Sequence, residues 1–143
     1  MTHMEEIASL YRMNGESEPG WLECLRRHER ILLAVLKRVK THDLGDIHRG
    51  LLEHRYQLWG GERAVMITEI ENYPQTKICN MFLGAGNMAE LNAIRLAVER
   101  WARINGCSRI RLYGRAGWLR HCRRYGIDHG GYAVESVTFE KEL

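Results

Sequence analysis

Residues 63–113, RAVMITEIENYPQTKICNMFLGAGNMAELNAIRLAVERWARINGCSRIRLY, change hydrophobic period twice, and that change decides the fold. Arg63–Glu71 is rich in β-branched residues and reads as a strand. Asn72-Tyr73-Pro74-Gln75 is a turn, with proline suited to its interior. Thr76–Leu83 reads as a second strand, closed by Gly84-Ala85-Gly86-Asn87. From Met88 to Asn105 the apolar residues Leu91, Ile94, Val98 and Trp101 recur at three-four spacing, the mark of an amphipathic helix. Gly106 stops it. Ser108–Tyr113 then alternates, with Ile110 and Leu112 on one face and Arg109 and Arg111 on the other. Strand, helix, strand at this spacing predicts a βαβ crossover between parallel strands.

Upstream, Tyr56–Trp59 is a short apolar run ended by Gly60-Gly61, so three strands form an antiparallel meander. Trp21–Lys40 reads as one amphipathic helix, with Leu22, Leu25, Leu32, Leu36 and Val39 on its apolar side. Its leucine content predicts a contact surface, for its own sheet or for a partner chain. Asp46–His54 reads as another short helix and Met4–Met13 as a peripheral one, followed by the polar break NGESEPG. Downstream, Trp118–Tyr125 reads as a short helix and Tyr132–Glu140 as a last strand. The expected architecture is α+β: a mixed sheet with a meander, one crossover and N-terminal helices. Residues 1–20 form an extension, and 21–143 form one domain.

The chain has 143 residues, 45% of them hydrophobic, 27% charged and 8% aromatic, with two prolines. This composition excludes a largely disordered chain. The longest apolar run, Ile31–Leu36, is far below the about 20 residues of a membrane span. Met1–Leu10 carries Glu5 and Glu6 and no basic segment, which predicts no signal peptide. Four scattered cysteines, Cys24, Cys79, Cys107 and Cys122, suit small buried hydrophobes rather than disulfides. His42 and His48 share a stretch with Asp43 and Asp46, but no HExxH or CxxC spacing occurs, so no metal site is assigned. Charge is uneven. Between Arg95 and Arg124 nine arginines face one acid, Glu99, giving +8 and leaving −5 of the net +3 for the rest. Arg109, Arg111, Arg115, Arg120, Arg123 and Arg124 are expected to form one basic patch for an acidic partner, either a protein face or a nucleic-acid backbone, unless it is a solvated face.

From the second strand onward the order of elements resembles the GNAT N-acyltransferase fold. Ala102-Arg-Ile-Asn-Gly106-Cys-Ser-Arg-Ile-Arg-Leu112 is similar to the A-R-x-x-G-x-x-x-I-x-L that ends the central GNAT helix. Tyr125-Gly126-Ile127 is similar to the G-F closing the next one. The resemblance covers roughly Arg55–Leu143. It implies acetyl-CoA as cofactor if acyl transfer occurs, with the pyrophosphate on backbone amides of a Gln/Arg-x-x-Gly-x-Gly/Ala loop. Here Gly86, Ala89 and Leu91 stand at the Gln/Arg and two glycine positions, so the candidate loop shifts to Gly84, Ala85, Gly86 and Asn87. Arg115 stands where the family often has Asn. Cys122 stands where a Tyr often protonates the leaving thiolate. Glu69 and Glu71 are the candidate bases on the meander, or else solvent-side strand residues.

A narrower resemblance, carried by Gly114–Trp118, Gln57-Leu58-Trp59, Tyr73-Pro74 and the ending near Phe139, is to small phage and prophage proteins with a degenerate GNAT-like domain. It implies a virion-associated or assembly protein in host cytoplasm or particle, partnered through Trp21–Lys40, oligomeric or not, and with no cofactor. The alternatives are a working acetyl-CoA-dependent N-acyltransferase and a nucleic-acid-binding accessory protein using the arginines.

Overall fold

The computed structural model describes residues 3–113, 131–132 and 138–143. The chain divides into two compact units, Met1–Tyr113 and Gly114–Leu143. The expected helix Trp118–Tyr125 and most of the expected strand Tyr132–Glu140 lie outside the described residues.

Among the described residues there are five helices and four strands: α1 (His3–Met13), α2 (Gly20–Arg27), α3 (Glu29–Val39), α4 (Leu44–Leu52), β1 (Tyr56–Gly60), β2 (Ala64–Asn72), β3 (Lys77–Gly86), α5 (Met88–Ile104) and β4 (Arg109–Leu112). The strands form one mixed sheet in the order β1-β2-β3-β4. β1, β2 and β3 pair antiparallel and β4 pairs parallel to β3, as the meander and the crossover predict. The hairpin turn closes with the Tyr73 amide donating to the Thr76 carbonyl.

Register divides the sheet into two faces. Tyr56, Leu58, Val65, Ile67, Glu69, Glu71, Ile78, Asn80, Leu83 and Ala85 share an inner face, since cross-strand partners point the same way. A bulge between Ile67 and Thr68 inserts Phe82 as an extra residue on β3. Helices α1–α4 cover this face: Met4, Ile7, Ala8, Leu22, Leu25, Leu32, Val35, Leu36, Leu44, Ile47 and Leu51 are buried with Val65, Ile67 and Leu83 in one core. Helix α5 covers the other face, where Ala64, Met66, Thr68, Cys79 and Met81 are buried, along with Leu91, Val98 and Ala102 of the helix. There Trp59 meets Trp101 edge to face at 5.5 Å and donates its Nε1 hydrogen to Thr68 Oγ1 at 3.0 Å. The arrangement is α/β/α in three layers.

Four expectations need correction. First, residues 1–20 are not merely peripheral: α1 carries Met4, Ile7 and Ala8 into the core. Second, Trp21–Lys40 is two helices rather than one. The amide bonds His28 N–H to Cys24 O and Leu32 N–H to His28 O persist, so the break is a kink. Its cause is distant in sequence: buried His28 donates from Nε2 to the Gly61 carbonyl at 2.9 Å. The apolar side of this helix pair is used on the chain's own sheet, while Leu33 and Val39 remain exposed.

Third, Gly84-Ala85-Gly86 does not close the strand but continues it, each residue paired with β2. Gly86 has φ +109, and a Cβ there would come within 2.1 Å of the Arg63 carbonyl oxygen, so only glycine fits. Fourth, the short helix expected at Asp46–His54 spans Leu44–Leu52, because Asp43 and Asp46 form a reciprocal capping box at its start, each side chain accepting from the other's amide at 2.8 and 3.0 Å.

Candidate functional site

The two expected bases come together at one end of the inner face. Glu69 and Glu71 are consecutive inward residues of β2, both half-buried. The register places Tyr56 beside Glu69 from β1 and Asn80 from β3, while Arg111 of β4 lies beside Asn80. Four segments distant in sequence thus converge.

Each neighbour is held in place. Tyr56 packs its ring where a side chain on Gly50 of α4 would sit, a Cβ there falling 2.1 Å from the ring. Its hydroxyl lies 3.3 Å from His42 Nε2, and His42 Nδ1 is 2.8 Å from Thr41 Oγ1. Tyr56, Phe82 and His42 form an aromatic wall, with ring centroids 5.0 Å apart for Tyr56–Phe82 and 5.5 Å for His42–Phe82. Arg55, tied to Glu53 at 2.7 Å, lays its guanidinium 5.1 Å from the Tyr56 ring centre.

Glu71 accepts from Asn80 Nδ2 at 2.5 Å and from the Tyr73 hydroxyl. Arg111 lies 5.9 Å over the Tyr73 ring. Asn80 itself is 1% exposed, and its Oδ1 has no hydrogen-bond partner.

Burial is the main cause that lifts the Glu69 carboxyl above the ordinary glutamate range, and the Glu71 charge adds to it. Arg55 and His42 pull the other way. A carboxyl lifted in this manner binds a proton more readily than a surface glutamate and is suited to exchange one. Among the described residues no group of three His, Cys, Asp or Glu side chains is placed to hold a metal ion.

The expected phosphate loop is differently employed. Gly84, Ala85 and Gly86 lie in the β2–β3 ladder. Asn87 donates its amide to the Arg63 carbonyl, and its side chain caps α5 by accepting the Glu90 amide at 3.0 Å. The Glu90 carboxylate turns back onto the amides of Glu62 at 2.7 Å and Arg63 at 3.0 Å. The first turn of α5 therefore already carries an anion.

Of the arginines, Arg109 and Arg111 share the inner face of β4, as alternation predicts. Arg115, Arg120, Arg123 and Arg124 lie outside the described residues, as does Cys122. Part of the basic block is paired within the chain: Arg95 and Glu99 meet at 3.0 Å, both largely buried. Cys79 is buried and its thiol is pushed up to about 12, mainly by desolvation, so it behaves as a small hydrophobe.

The residues that sequence reasoning missed are His42, Tyr56, Tyr73 and Asn80. One signal was available: Glu69 and Glu71 continue the alternation of Val65 and Ile67, so both point to the face the helices cover.

A scan against protein-family models finds no match, and a search of curated proteins finds none either. Two solved structures are similar in fold. The tetramutant of the BH1408 protein from Bacillus halodurans is 14% identical with a TM-score of 0.56, covering 86% of this chain and 94% of that one. A transcriptional regulator from Bacillus halodurans C-125 is 18% identical with a TM-score of 0.55, covering 90% and 97%. At such identities the likeness is one of fold: an α+β chain with a mixed open sheet.

Proposed function

We propose that this chain is a GNAT-like fold that no longer carries out acyl transfer and serves as a virion-associated or assembly protein of a phage or prophage. One observation carries the loss of acyl-CoA chemistry: the N-terminus of α5 is occupied by the chain's own groups. A GNAT-like fold would present free amides there to a pyrophosphate. In this chain Gly84–Gly86 belong to a strand ladder, the Asn87 side chain takes the Glu90 amide, and Glu90, on the first turn of α5, brings a carboxylate that is fixed on the neighbouring amides of Glu62 and Arg63. A second anion at that turn would meet repulsion instead of a vacant positive helix end. The sequence resemblance to phage proteins supports the assembly role. The outer side of α2 and α3, where Leu33 is 48% exposed, is the surface offered to a partner.

Calorimetric titration with acetyl-CoA tests the first half: no saturable heat is expected. Micromolar binding that disappears in Gly84→Val would overturn it. Mass spectrometry of particles purified from a host carrying the gene tests the second half, with peptides of this chain expected in the particle or its assembly intermediates.

Glu69 favours a second reading, an acetyl-CoA-dependent N-acyltransferase, because a half-buried carboxyl of raised proton affinity beside Glu71 is suited to deprotonate an amine. Acetyl-CoA-dependent acylation of a panel of amines, abolished by Glu69→Gln, would establish it.

A further inference from the structure

Two acceptors lie side by side on the inner face of the sheet with no hydrogen-bond donor among the described residues. The Glu69 carboxylate is half-buried and makes no hydrogen bond with the described residues. Asn80, its direct partner in the β2–β3 register, has its amide nitrogen fixed on Glu71, while its Oδ1 is buried and unpartnered. A buried carbonyl without a donor is a standing cost, removed when something supplies the hydrogen. The surroundings select the sign of what can do so. Glu69 and Glu71 repel anions and the wall of Tyr56, Phe82 and His42 favours a cation against its ring faces, while Arg111, beside Asn80 in the register, has its guanidinium over the Tyr73 ring. Arg55 already illustrates this, its guanidinium resting over Tyr56.

We infer that Glu69 and Asn80 together bind a cationic N–H donor, a primary ammonium or a guanidinium, admitted past the half-exposed Glu69. Glu69 supplies the opposite charge, and Asn80 Oδ1 accepts one hydrogen. The cation is a basic side chain presented by a protein or a free polyamine, and no covalent step is involved. The identification of the source as a partner protein rests on the reading of the chain as an assembly protein; the site itself does not. Acetyl-CoA binding would overturn that reading and leave this inference standing, whereas a flat cation titration would do the reverse.

The test is an NMR titration of the full chain with methylammonium chloride and with methylguanidinium chloride at constant ionic strength. The Asn80 side-chain amide and the Glu69 carboxyl carbon are followed, and tetramethylammonium, which has no N–H, is the control. A saturable shift at both groups is expected with at least one N–H cation and none with tetramethylammonium. Glu69→Gln should weaken binding at least about tenfold without lowering the melting temperature, which separates lost recognition from lost folding. A subsequent comparison of the tripeptide Gly-Lys-Gly with spermidine names the source: preference for the peptide supports a protein side chain, and preference for spermidine supports a free polyamine. Absence of a saturable shift, an equal response to tetramethylammonium, or undiminished binding in Glu69→Gln would each overturn the inference.

Discussion

Strands β2 and β3 run through two different environments on the same face. At one end Val65, Ile67 and Leu83 are buried under α1–α4. At the other, past the bulge at Ile67/Thr68, the inward positions are Glu69, Glu71 and Asn80, with buried Ile78 at the end of the hairpin. Along β2 the alternation runs unbroken through both halves, while on β3 the bulge inserts Phe82 where they meet. The difference lies in what the side chains ask for. The apolar half gains stability from water exclusion. The polar half holds a desolvated carboxyl and an orphaned carbonyl, a cost that stability alone does not explain. A single strand pair thus serves as scaffold at one end and as candidate site at the other.

Substitutions can break or sharpen that contrast. The largest effect is expected at the far end of the scaffold half. Gly86→Ala puts a methyl against the Arg63 carbonyl at a left-handed φ, and should cost about 3 kcal/mol or more in denaturant unfolding. Wild-type stability would mean that the hairpin does not close as described. Next, Ile67→Ala, at a fully buried position, should cost about 2–5 kcal/mol. Glu69→Ala, two residues on, should stay within about 0.5 kcal/mol. Equal losses at the two positions would erase the distinction between the halves. Asn87→Ala removes the α5 cap and should cost about 1 kcal/mol by the same measurement.

The smallest expected effect is one of sign. The carboxyl of Glu69 binds its proton more tightly folded than unfolded, so its contribution to stability is present below the ordinary glutamate range. It is lost as pH rises through the raised value. Glu69→Gln should therefore melt at or slightly above the wild-type temperature at neutral pH, and this advantage should vanish in acid. A variant that melts lower at neutral pH would show instead that the charged form is held by a favourable partner.

The parts of the fold legible in the sequence were those set by local period. The hairpin, the crossover helix starting at Met88 and the facing of Arg109 and Arg111 all follow from alternation or three-four spacing within one segment. What was not legible depends on partners remote in the chain. The kink at His28 answers to a carbonyl at Gly61, and the extension of β3 to Gly86 answers to backbone at Arg63. Burial of α1 answers to a core assembled from six other elements, α2, α3, α4, β1, β2 and β3. The candidate site was half legible. Glu69 and Glu71 could be named from the strand, but Asn80, Tyr56 and His42 join them only once the register is known.

The same contrast governs function, because the sequence pointed to the glycines of Gly84–Asn87 as much as to the carboxylates. The most direct test is the amide NMR spectrum of nitrogen-labelled protein as acetyl-CoA is added. With α5 capped by Asn87 and the Glu90 carboxylate held nearby on the amides of Glu62 and Arg63, the amides of Gly84–Glu90 should remain unmoved at concentrations that saturate an acyltransferase. Saturable shifts confined to those amides would contradict the loss of acyl-CoA binding and restore the enzyme reading.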